Sequence, residues 1–383
     1  MGKVVIRPCA EYTEECCRAA LLSVLEPLGG LSWVRPGMKI AVKANLITAL
    51  KPETAATTHP ALLAALVRLL TERGAEVRVG DSPGGVFSKP YVDRVYAVCG
   101  LEAVKEAGGS LNQDYSVKEC FDPDCLVLKS FAYTGWLDWA DVILSFSKLK
   151  VHAMMSMTAA VKNLFGCIPG SVKAEYHYRF PEYRDFADML VDLNLHFKPL
   201  LHICDAVTGM EGNGPTQGTP RHLGALLASS DPFSLDLAAA RLIGLEKEDV
   251  PYLEAAHRRG LLPDTAADLE TDGDLEAFRV PDFRHVAGLR DLTSLIGGNS
   301  PLRKLVRGTV RRILQSYPAL ERGDCVGCGV CARSCPASAI AIREKKARID
   351  RKKCIRCFCC QELCPKGAMV AHRPLAARIA GKL

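Results

Sequence analysis

Short apolar runs alternate with amphipathic stretches along the first 245 residues of the chain. Apolar-rich runs predict β-strands at Val4–Arg7, Met38–Val42, Glu76–Val79, Leu126–Leu128, Asp141–Phe146, Leu201–Asp205 and Leu223–Ala228. Apolar positions spaced three and four residues apart predict helices over residues 60–73, 185–196 and 232–243. Strands that alternate with helices are typical of an α/β fold, in which helices flank a mostly parallel sheet.

The helix over residues 60–73 has the clearest end signals. It follows Thr57-Thr58-His59-Pro60, where a hydroxyl can cap the first turn and the proline fits inside that turn. Gly74 follows the last turn and is a typical stop signal.

Residues 301–317 have a different pattern. Apolar side chains recur there every three or four residues and basic side chains fill the other face, which predicts a basic amphipathic helix. Such a helix can lie on a membrane surface, but we favour docking on the rest of the chain. The turn-forming residues Gly297-Gly298-Asn299-Ser300 precede it. The expected organisation is therefore a body, a basic linker helix, a small C-terminal domain and a tail, over residues 1–300, 301–320, 321–371 and 372–383.

Charge is distributed unevenly between these parts. The net charge is +6, but residues 301–383 hold 19 Lys and Arg against 5 Asp and Glu, while residues 1–300 hold 30 against 38. The opposite signs suggest that the two parts dock on each other or meet different partners. A basic C-terminal part suits an acidic protein, whereas we expect neither nucleic acid nor a membrane as a partner.

The chain contains no run of about 18 apolar residues that would cross a membrane. Its N-terminus also has no apolar run long enough for a signal peptide. We therefore expect a cytoplasmic protein.

Nine of the 17 cysteines fall between Cys325 and Cys364. Disulfide frameworks are a feature of small secreted domains, so a dense block in a long chain without a signal peptide indicates metal binding. The block consists of two C-x2-C-x2-C-x3-C-P runs, which end at Pro336 and Pro365. Alternation of apolar and polar residues over 339–343 and 347–349 predicts a short hairpin between the runs.

The two runs resemble those of bacterial two-cluster ferredoxins over about 50 residues. The resemblance implies two 4Fe–4S clusters, with the fourth cysteine of each run bound to the other cluster. One cluster would take Cys325, Cys328, Cys331 and Cys364, and the other would take Cys354, Cys357, Cys360 and Cys335. A pair of zinc sites is the alternative, but zinc motifs usually present two C-x2-C pairs. Cys359 is left over and is expected to pack beside a cluster as a small apolar side chain.

Four polar segments follow predicted strands of the body, at residues 42–46, 79–85, 145–177 and 205–218. Ligand sites in open parallel sheets form at the carboxyl ends of the strands, so these segments are expected to gather in one place. None of them has the glycine pattern of a dinucleotide-binding or phosphate-binding loop.

The charged side chains of these segments suggest acid–base chemistry on an anion. Lysines and glycine-rich turns suit a carboxylate or phosphate, and histidines with carboxylates suit proton transfer or a metal. The catalytic candidates are Lys148, Lys150, His152, Lys162, His177, Asp81 and Glu211. The candidates for substrate binding are Lys43, Asn45, Asn163 and Asn213. Asp205 belongs to the same set of charges, and Cys167 is expected to be a buried inert thiol.

Motifs of the body resemble the domain-of-unknown-function family 362 over about residues 1–245. These motifs are Lys43-x-Asn45-Leu46, Gly80-Asp81-Ser82-Pro83-Gly84, Lys148-Leu149-Lys150-x-His152, Val161-Lys162-Asn163-Leu164-Phe165-Gly166 with Pro169-Gly170, and Glu211-Gly212-Asn213-Gly214-Pro215-Thr216. A ferredoxin-like tail often accompanies this family. Val151 stands where the family often has threonine, which removes a hydroxyl from that motif. The family implies no assigned reaction, so the function has to be inferred from the residues.

Two functions fit these features. In the first, the protein is an iron–sulfur oxidoreductase whose two clusters relay electrons to an anionic small molecule or cofactor in the body. Lysines would hold the charge of that molecule and histidines would move protons. Joining the relay and the body in one chain favours this function, because a shared chain raises the effective concentration.

In the second, the protein is a non-catalytic electron-transfer, metal-delivery or maturation accessory protein that serves a partner enzyme. Iron–sulfur sensing is a further alternative. Either main function needs a protein that donates or accepts electrons, and the body could hold a second cofactor or metal.

Overall fold

The computed structural model describes residues 2–170, 172–286, 315–321 and 323–374. In the described part of the body, the strands in chain order are β1 (Val4–Pro8), β2 (Lys39–Lys43), β3 (Glu76–Gly80), β4 (Ser110–Leu111), β5 (Val117–Phe121), β6 (Ser130–Thr134), β7 (Val142–His152), β8 (Ser156–Thr158), β9 (Leu201–Glu211), β10 (Thr219–Ser229) and β11 (Thr271–Asp272). All except β5 and β6 belong to one nine-stranded sheet, and those two form a separate antiparallel hairpin.

The large sheet has the strand order β11-β1-β10-β9-β7-β2-β3-β4, with β8 paired to β7. The pairs β1–β10, β10–β9 and β7–β8 are antiparallel, and the remaining pairs are parallel. The mostly parallel sheet that the sequence predicts is therefore confirmed. The central strands β2, β7 and β9 are buried along most of their length, and β7 and β9 bury charged side chains such as Lys148 and Asp205 as well as apolar ones.

Helices flank the sheet in two packed groups. The described part of the body contains the helices α1 (Glu14–Leu25), α2 (Pro60–Thr71), α3 (Lys89–Val98), α4 (Glu102–Glu106), α5 (Ala160–Asn163), α6 (Lys173–Arg179), α7 (Tyr183–Phe197), α8 (Pro232–Leu242) and α9 (Pro251–Arg258). One group contains α1, α2 and α4, and the other contains α5, α7, α8 and α9. Leu62, Leu66 and Leu69 show how apolar spacing produces such packing, because all three are fully buried on α2.

The three predicted helices are confirmed, but the N-terminal cap of α2 differs from the prediction. No threonine hydroxyl caps the helix. Instead Nδ1 of His59 accepts a hydrogen bond from the backbone amide of Ala61 at 3.3 Å, and Pro60 occupies the first turn. Thr58 is used elsewhere, since its hydroxyl accepts from the amide of Asn45 and donates to the carbonyl of Phe146.

Six of the seven predicted strands are confirmed, and the strand at Leu126–Leu128 is wrong. The backbone amides of these three residues donate to the carboxylate of Asp192 at 3.0, 2.8 and 2.9 Å instead of joining a ladder. Asp192 is fully buried on α7 and also pairs with Arg259 at 2.8 Å. The apolar run is thus a loop fastened to a distant helix, and the hairpin strands β5 and β6 lie on either side of it.

The described C-terminal domain contains the strands β12 (Tyr317–Leu320), β13 (Ile340–Arg343), β14 (Lys346–Ile349) and β15 (Met369–His372). β13 and β14 form the predicted hairpin, and β12 pairs with β15. The first part of the predicted linker helix, residues 301–314, lies outside the described residues, as do residues 375–383 of the predicted tail. Tyr317–Leu320, at the end of the predicted linker, form a strand rather than a helix because they pair with β15.

The second cysteine run packs directly on a loop of the body. Nε2 of the fully buried Gln361 lies 2.6 Å from Oδ1 of Asn213 and 3.0 Å from the carbonyl oxygen of Gly214. Thr216 donates to the carbonyl of Glu362 at 3.0 Å, and the side chain of Gln217 donates to that of Cys364 at 3.1 Å. The glycine-rich loop over residues 212–218 therefore forms part of the contact between the two domains.

Candidate functional site

A cavity of about 110 Å3 lies where the body meets the second cysteine run. It sits beyond the carboxyl ends of β2 and β3 and beside β7. Its polar and charged lining from the body includes Lys43, Asn45, Asp81, Ser82, Lys150, His152, Thr158, Lys162, Asn163, Lys173 and His177. The C-terminal domain contributes Ser334, Cys359, Glu362 and Leu363. Most of the residues that the sequence selects thus meet in one place, as expected for an open parallel sheet.

A buried ion pair forms one wall of the cavity. Lys43, the last residue of β2, lies 2.8 Å from Oδ1 of Asp81, which follows β3, and both side chains are almost fully buried. Nζ of Lys43 also donates to Oδ1 of Asn163 at 3.0 Å, and Oδ2 of Asp81 accepts from the amide of Leu46 at 2.8 Å. A side chain at Gly166 would collide with both charged groups, which explains the glycine of that motif.

Lys150 lies deeper, on β7. Its ammonium donates to Oδ1 of Asn45 at 2.6 Å and to the carbonyl oxygen of Ala56. Burial lowers the pKa of Lys150 to about 7, and the positive charge of nearby Lys162 acts in the same direction. Lys150 can therefore gain or release a proton near neutral pH, which few lysines can do.

His152 ends β7 and has a defined tautomer. Its Nδ1 accepts from the backbone amides of Met154 and Met155 at 3.0 and 3.1 Å, so a neutral ring carries its proton on Nε2. Burial lowers the pKa of His152 to about 4, with Lys162 adding to the shift, so the ring is neutral at pH 7. Nε2 lies 2.9 Å from Oε1 of Glu362. Both residues line the cavity, so a molecule bound there would lie against them.

Glu362 brings a carboxylate from the C-terminal domain into the cavity. Burial would raise its pKa, but His152, Lys162 and His177 outweigh burial and lower the pKa to about 2. His177, on α6, stacks on Phe186 with ring centroids 4.5 Å apart, and burial lowers its pKa to about 3. Its Nδ1 has no hydrogen-bond partner in the described part of the chain.

Two further lysines face the cavity. Burial lowers the pKa of Lys162, whose ammonium lies 5.6 Å from the ring centre of Phe165. Burial lowers the pKa of Lys173 to about 8, and its ammonium donates to the carbonyl of Ser82. Within the described ranges, neither ammonium lies within 4.0 Å of a carboxylate. The cavity therefore holds more ammonium groups than carboxylates.

Three of the predicted site residues lie elsewhere. Lys148 is buried against Asp205 at 2.8 Å and donates to the hydroxyl of Tyr12 at 2.9 Å. Glu211, the last residue of β9, accepts a hydrogen bond from Nε of Arg284 at 2.8 Å. This bond holds the segment around Arg284 against the end of β9. Asn213 bonds to Gln361 between the domains, as described above. The structure gives each of these three a partner within the protein.

Several lining residues were not selected as site residues from the sequence, and three of them have side chains that can be charged or act as nucleophiles. Cys359, expected to pack beside a cluster, lines the cavity while remaining buried. Glu362 gave no local signal, because its partner His152 lies on a distant strand of the body. Lys173 follows the Pro169-Gly170 turn, and its basic charge in a lysine-rich segment was the signal that could have identified it.

The cysteines of the two runs lie in two groups. Cys325, Cys328, Cys331 and Cys364 line one small cavity of the C-terminal domain. Burial raises the pKa of Cys354, from the other group, and the nearby thiols of Cys357 and Cys335 raise it further. Thiols are the soft ligands that iron–sulfur clusters use, and the backbone amide of Ala339 already points to the sulfur of Cys335 at 3.2 Å. Both groups therefore suit cubane clusters.

Comparison with family models gives two matches. Residues 40–241 match the domain of unknown function DUF362, and residues 318–365 match a 4Fe-4S dicluster domain. Among the described residues, no helix combines the length and apolar character needed to cross a membrane.

Two individual proteins are also similar to the chain. A thylakoid-associated protein of Synechocystis sp. is 36% identical over 266 residues, which cover 66% of this chain and 77% of that protein. The lactate racemase apoprotein of Thermoanaerobacterium thermosaccharolyticum aligns with a TM-score of 0.40 and 10% identity, over 64% of this chain and 57% of that one. The alignment thus spans less than two thirds of the racemase.

The expected cytoplasmic location stays a prediction.

Proposed function

The chain belongs to the DUF362 family, whose reaction is not assigned, and it is an iron–sulfur protein. We propose that it is a redox enzyme in which two 4Fe–4S clusters pass electrons to an anionic small molecule or cofactor in the cavity. One observation carries this proposal. Cys359 and Glu362 lie inside the second cysteine run and also line the cavity of the body. A molecule in the cavity would therefore lie beside a cluster.

The charge of the cavity supports an anionic ligand. Its wall contains four lysines, at positions 43, 150, 162 and 173, but two carboxylates, those of Asp81 and Glu362. Uncompensated ammonium groups in a buried site are costly, and a small carboxylate would offset that cost while accepting hydrogen bonds. Lys162 and Lys173 are the residues best placed for this, because neither is paired with an acid among the described residues.

Only one of the eight cysteines of the two groups, Cys328, is exposed, and its group is the entry point for electrons in this proposal. We assign the inner cluster to Cys335, Cys354, Cys357 and Cys360, because Cys357 and Cys360 are buried and flank Cys359 at the cavity. The outer cluster takes Cys325, Cys328, Cys331 and Cys364, of which Cys328 is exposed. Clusters of this type carry one electron at a time. Electrons would enter at the outer group and leave at the inner one.

The surface around the outer group suits an acidic electron-donor protein. Arg333 donates to the carbonyl of Cys328 at 3.2 Å, and Lys346 donates to that of Cys325 at 2.6 Å. Lys366 lines the same small cavity as Cys325. Complementary charge speeds the encounter of two redox proteins, so a carrier with an acidic face fits this surface.

The cavity also offers groups that move protons. Lys150 titrates near neutral pH, and the neutral ring of His152 presents an N–H to the cavity. Reduction of a carbonyl or a carbon–carbon double bond consumes two electrons and two protons, so a proton source beside the electron source is needed. Lys150 can supply a proton and regain one from water, and the N–H of His152 can donate a hydrogen bond to the molecule being reduced, while Lys43 and Asn163 hold the wall in place.

This function is tested by turnover without oxygen. The full chain, kept reduced by an excess of a low-potential dye, is mixed with a panel of small 2-oxo and unsaturated carboxylates, and oxidation of the dye is followed. We expect turnover with a member of the panel, and a fall of about 100-fold in His152→Gln and Lys162→Met with iron content unchanged.

The control is Lys105→Met, which removes an exposed lysine that pairs with Glu102 on α4. Full turnover in both cavity variants would overturn the proposed site. Electron passage to an acidic carrier without any turnover would instead favour the non-catalytic accessory function.

A further inference from the structure

A second group of reactive side chains lies on the surface hairpin, apart from the cavity. Sγ of Cys120, on β5, lies 3.7 Å from Nε2 of His196, in the last turn of α7. Nδ1 of the same ring lies 2.7 Å from Oδ2 of Asp122. A thiol, an imidazole and a carboxylate therefore stand in the order in which a nucleophile, a base and an orienting acid act together.

The tautomer of His196 follows from its contact with Asp122. An ionised carboxylate only accepts hydrogen bonds, so Nδ1 carries the ring proton, and the lone pair of Nε2 is left facing the thiol. Hydrogen bonding to His196 lowers the pKa of Asp122, which keeps that carboxylate ionised. In its neutral form the ring is therefore oriented to take the proton of Cys120.

The packing around the ring fixes this orientation. His196 meets Phe131 and Phe197 edge to face, with ring centroids 5.0 Å away in each case. The other oxygen of Asp122 accepts from the amide of Asp124 at 3.0 Å. His196 and Asp122 are thus held from outside the group, and their side chains are 24% and 21% exposed. Cys120 is itself partly exposed, which leaves room for a small molecule to approach its sulfur.

The same geometry argues against a metal site at this place. The two nitrogens of His196 point at different partners on opposite sides of the ring, so the three side chains form a line and do not converge on one point. Zinc and similar ions need ligands that converge within about 2.3 Å of the metal. The arrangement suits proton transfer to and from a sulfur.

We propose that Cys120, His196 and Asp122 form a second site, at which Cys120 undergoes thiol–disulfide exchange with small disulfides. Nε2 of His196 takes the thiol proton while the sulfur attacks one sulfur of the disulfide R–S–S–R. The S–S bond breaks, and the leaving sulfur takes the proton from His196 as R–SH. The products are Cys120–S–S–R and R–SH, so the cysteine is oxidised and one sulfur of the disulfide is reduced.

This site does not depend on the function proposed for the cavity. At this site Cys120 would be modified reversibly by forming a mixed disulfide. Burial raises the pKa of Cys120, and Asp122 and Asp138 raise it further, so the thiol is protonated at rest and depends on the base. Exchange needs a sulfur, a base and open access, all of which these residues supply.

The test uses an internal comparison between two cysteines. The full chain, purified without oxygen, is treated with bis(2-hydroxyethyl) disulfide, quenched with acid and a maleimide, and digested for quantitative mass spectrometry of each cysteine. Cys16 is partly exposed like Cys120, but its sulfur neighbour is the thiol of Cys9 and not an imidazole. We expect Cys120 to react at least about 10-fold faster than Cys16, as general-base assistance allows.

A variant isolates the role of the imidazole. His196→Gln should slow the reaction of Cys120 at least about 10-fold, while His257→Gln should leave it unchanged. His257 is the matched control because it pairs with Asp264 at 2.9 Å in another part of the surface. Equal rates for Cys120 and Cys16 in the wild-type chain would overturn the proposal, even where His196→Gln failed to fold. An unchanged rate at Cys120 in a folded His196→Gln protein would overturn it as well.

Discussion

Replacing Gln361 by alanine should loosen the contact between the two domains. The side chain is fully buried, and its Nε2 lies 2.6 Å from Oδ1 of Asn213 and 3.0 Å from the carbonyl oxygen of Gly214. An amide nitrogen has two hydrogens, so it can serve both of these acceptors. Alanine would remove both hydrogen bonds and leave two oxygens of the body without a donor from the second cysteine run.

The size of the effect follows from these contacts. A neutral hydrogen bond contributes about 1 kcal/mol net, and a stranded buried acceptor costs about 1–3 kcal/mol. We therefore expect docking to weaken by about 2–4 kcal/mol, which raises the undocked population about 30- to 1,000-fold. In the undocked state the inner cluster would also be separated from the cavity.

Hydrogen exchange measured by mass spectrometry gives the readout. Amides of residues 361–364 donate hydrogen bonds within the second cysteine run, and this segment contacts the body, so their exchange reports opening of the contact. Gln361→Ala should speed their exchange at least about 10-fold, with iron content unchanged. Gln113→Ala is the matched control, because Gln113 is exposed and makes its two hydrogen bonds on the body. If both variants exchange like the wild type, Gln361 does not hold the domains together.

Three further outcomes are expected. Cys328→Ala should lose the iron of the outer cluster, which is about half of the total iron. Circular dichroism should show that the body of this variant is still folded. Loss of all body structure would show that the two domains fold together. Asp192→Ala should lower the free energy of unfolding by about 3–5 kcal/mol in urea titrations, because Arg259 and three amides lose their buried partner; a loss below 1 kcal/mol would contradict this. Burial lowers the pKa of the fully buried His202 from its ordinary value of 6.5 to about 3. As pH falls below about 6.5, this imidazole therefore takes up a proton in the unfolded chain before it does so in the folded chain. Stability should therefore drop between pH 7 and pH 5, and His202→Gln should remove about 2 kcal/mol of that drop; an unchanged pH dependence would refute the assignment.

Local sequence patterns predicted the elements whose packing is regular along the chain. The spacing of Leu62, Leu66 and Leu69 defines α2, because one face of that helix is buried. Pro60 and Gly74 mark its ends. The strand at Leu126–Leu128 failed because a short apolar run does not show what its backbone amides bond to. Their acceptor, Asp192, comes from a helix 64 or more residues away.

The half of the cavity that the body supplies could be predicted from the sequence. Lys43, Asp81, Lys150 and His152 meet because the carboxyl ends of neighbouring parallel strands lie at one edge of the sheet. Their meeting follows from topology, which the alternation of strands and helices implies.

The other half of the cavity depends on docking between domains, which no local pattern encodes. Glu362 lies in a cysteine run whose spacing is explained by cluster binding alone, so nothing in that run shows that it reaches His152. Asn213 gives the opposite error. Its glycine-rich loop was selected as a ligand site, and the structure uses the loop to hold Gln361.

We propose that the cavity between body and C-terminal domain binds a small anion beside the clusters. Native mass spectrometry of the full chain purified without oxygen, with metal analysis of the same sample, detects such a species. We expect the mass of the chain with two 4Fe–4S clusters and a further small species, either retained on purification or acquired from the carboxylate panel. That species should be absent from Lys162→Met at the same iron content. A mass equal to the chain and its clusters under every condition, identical in wild type and Lys162→Met, would show that the cavity binds no such anion.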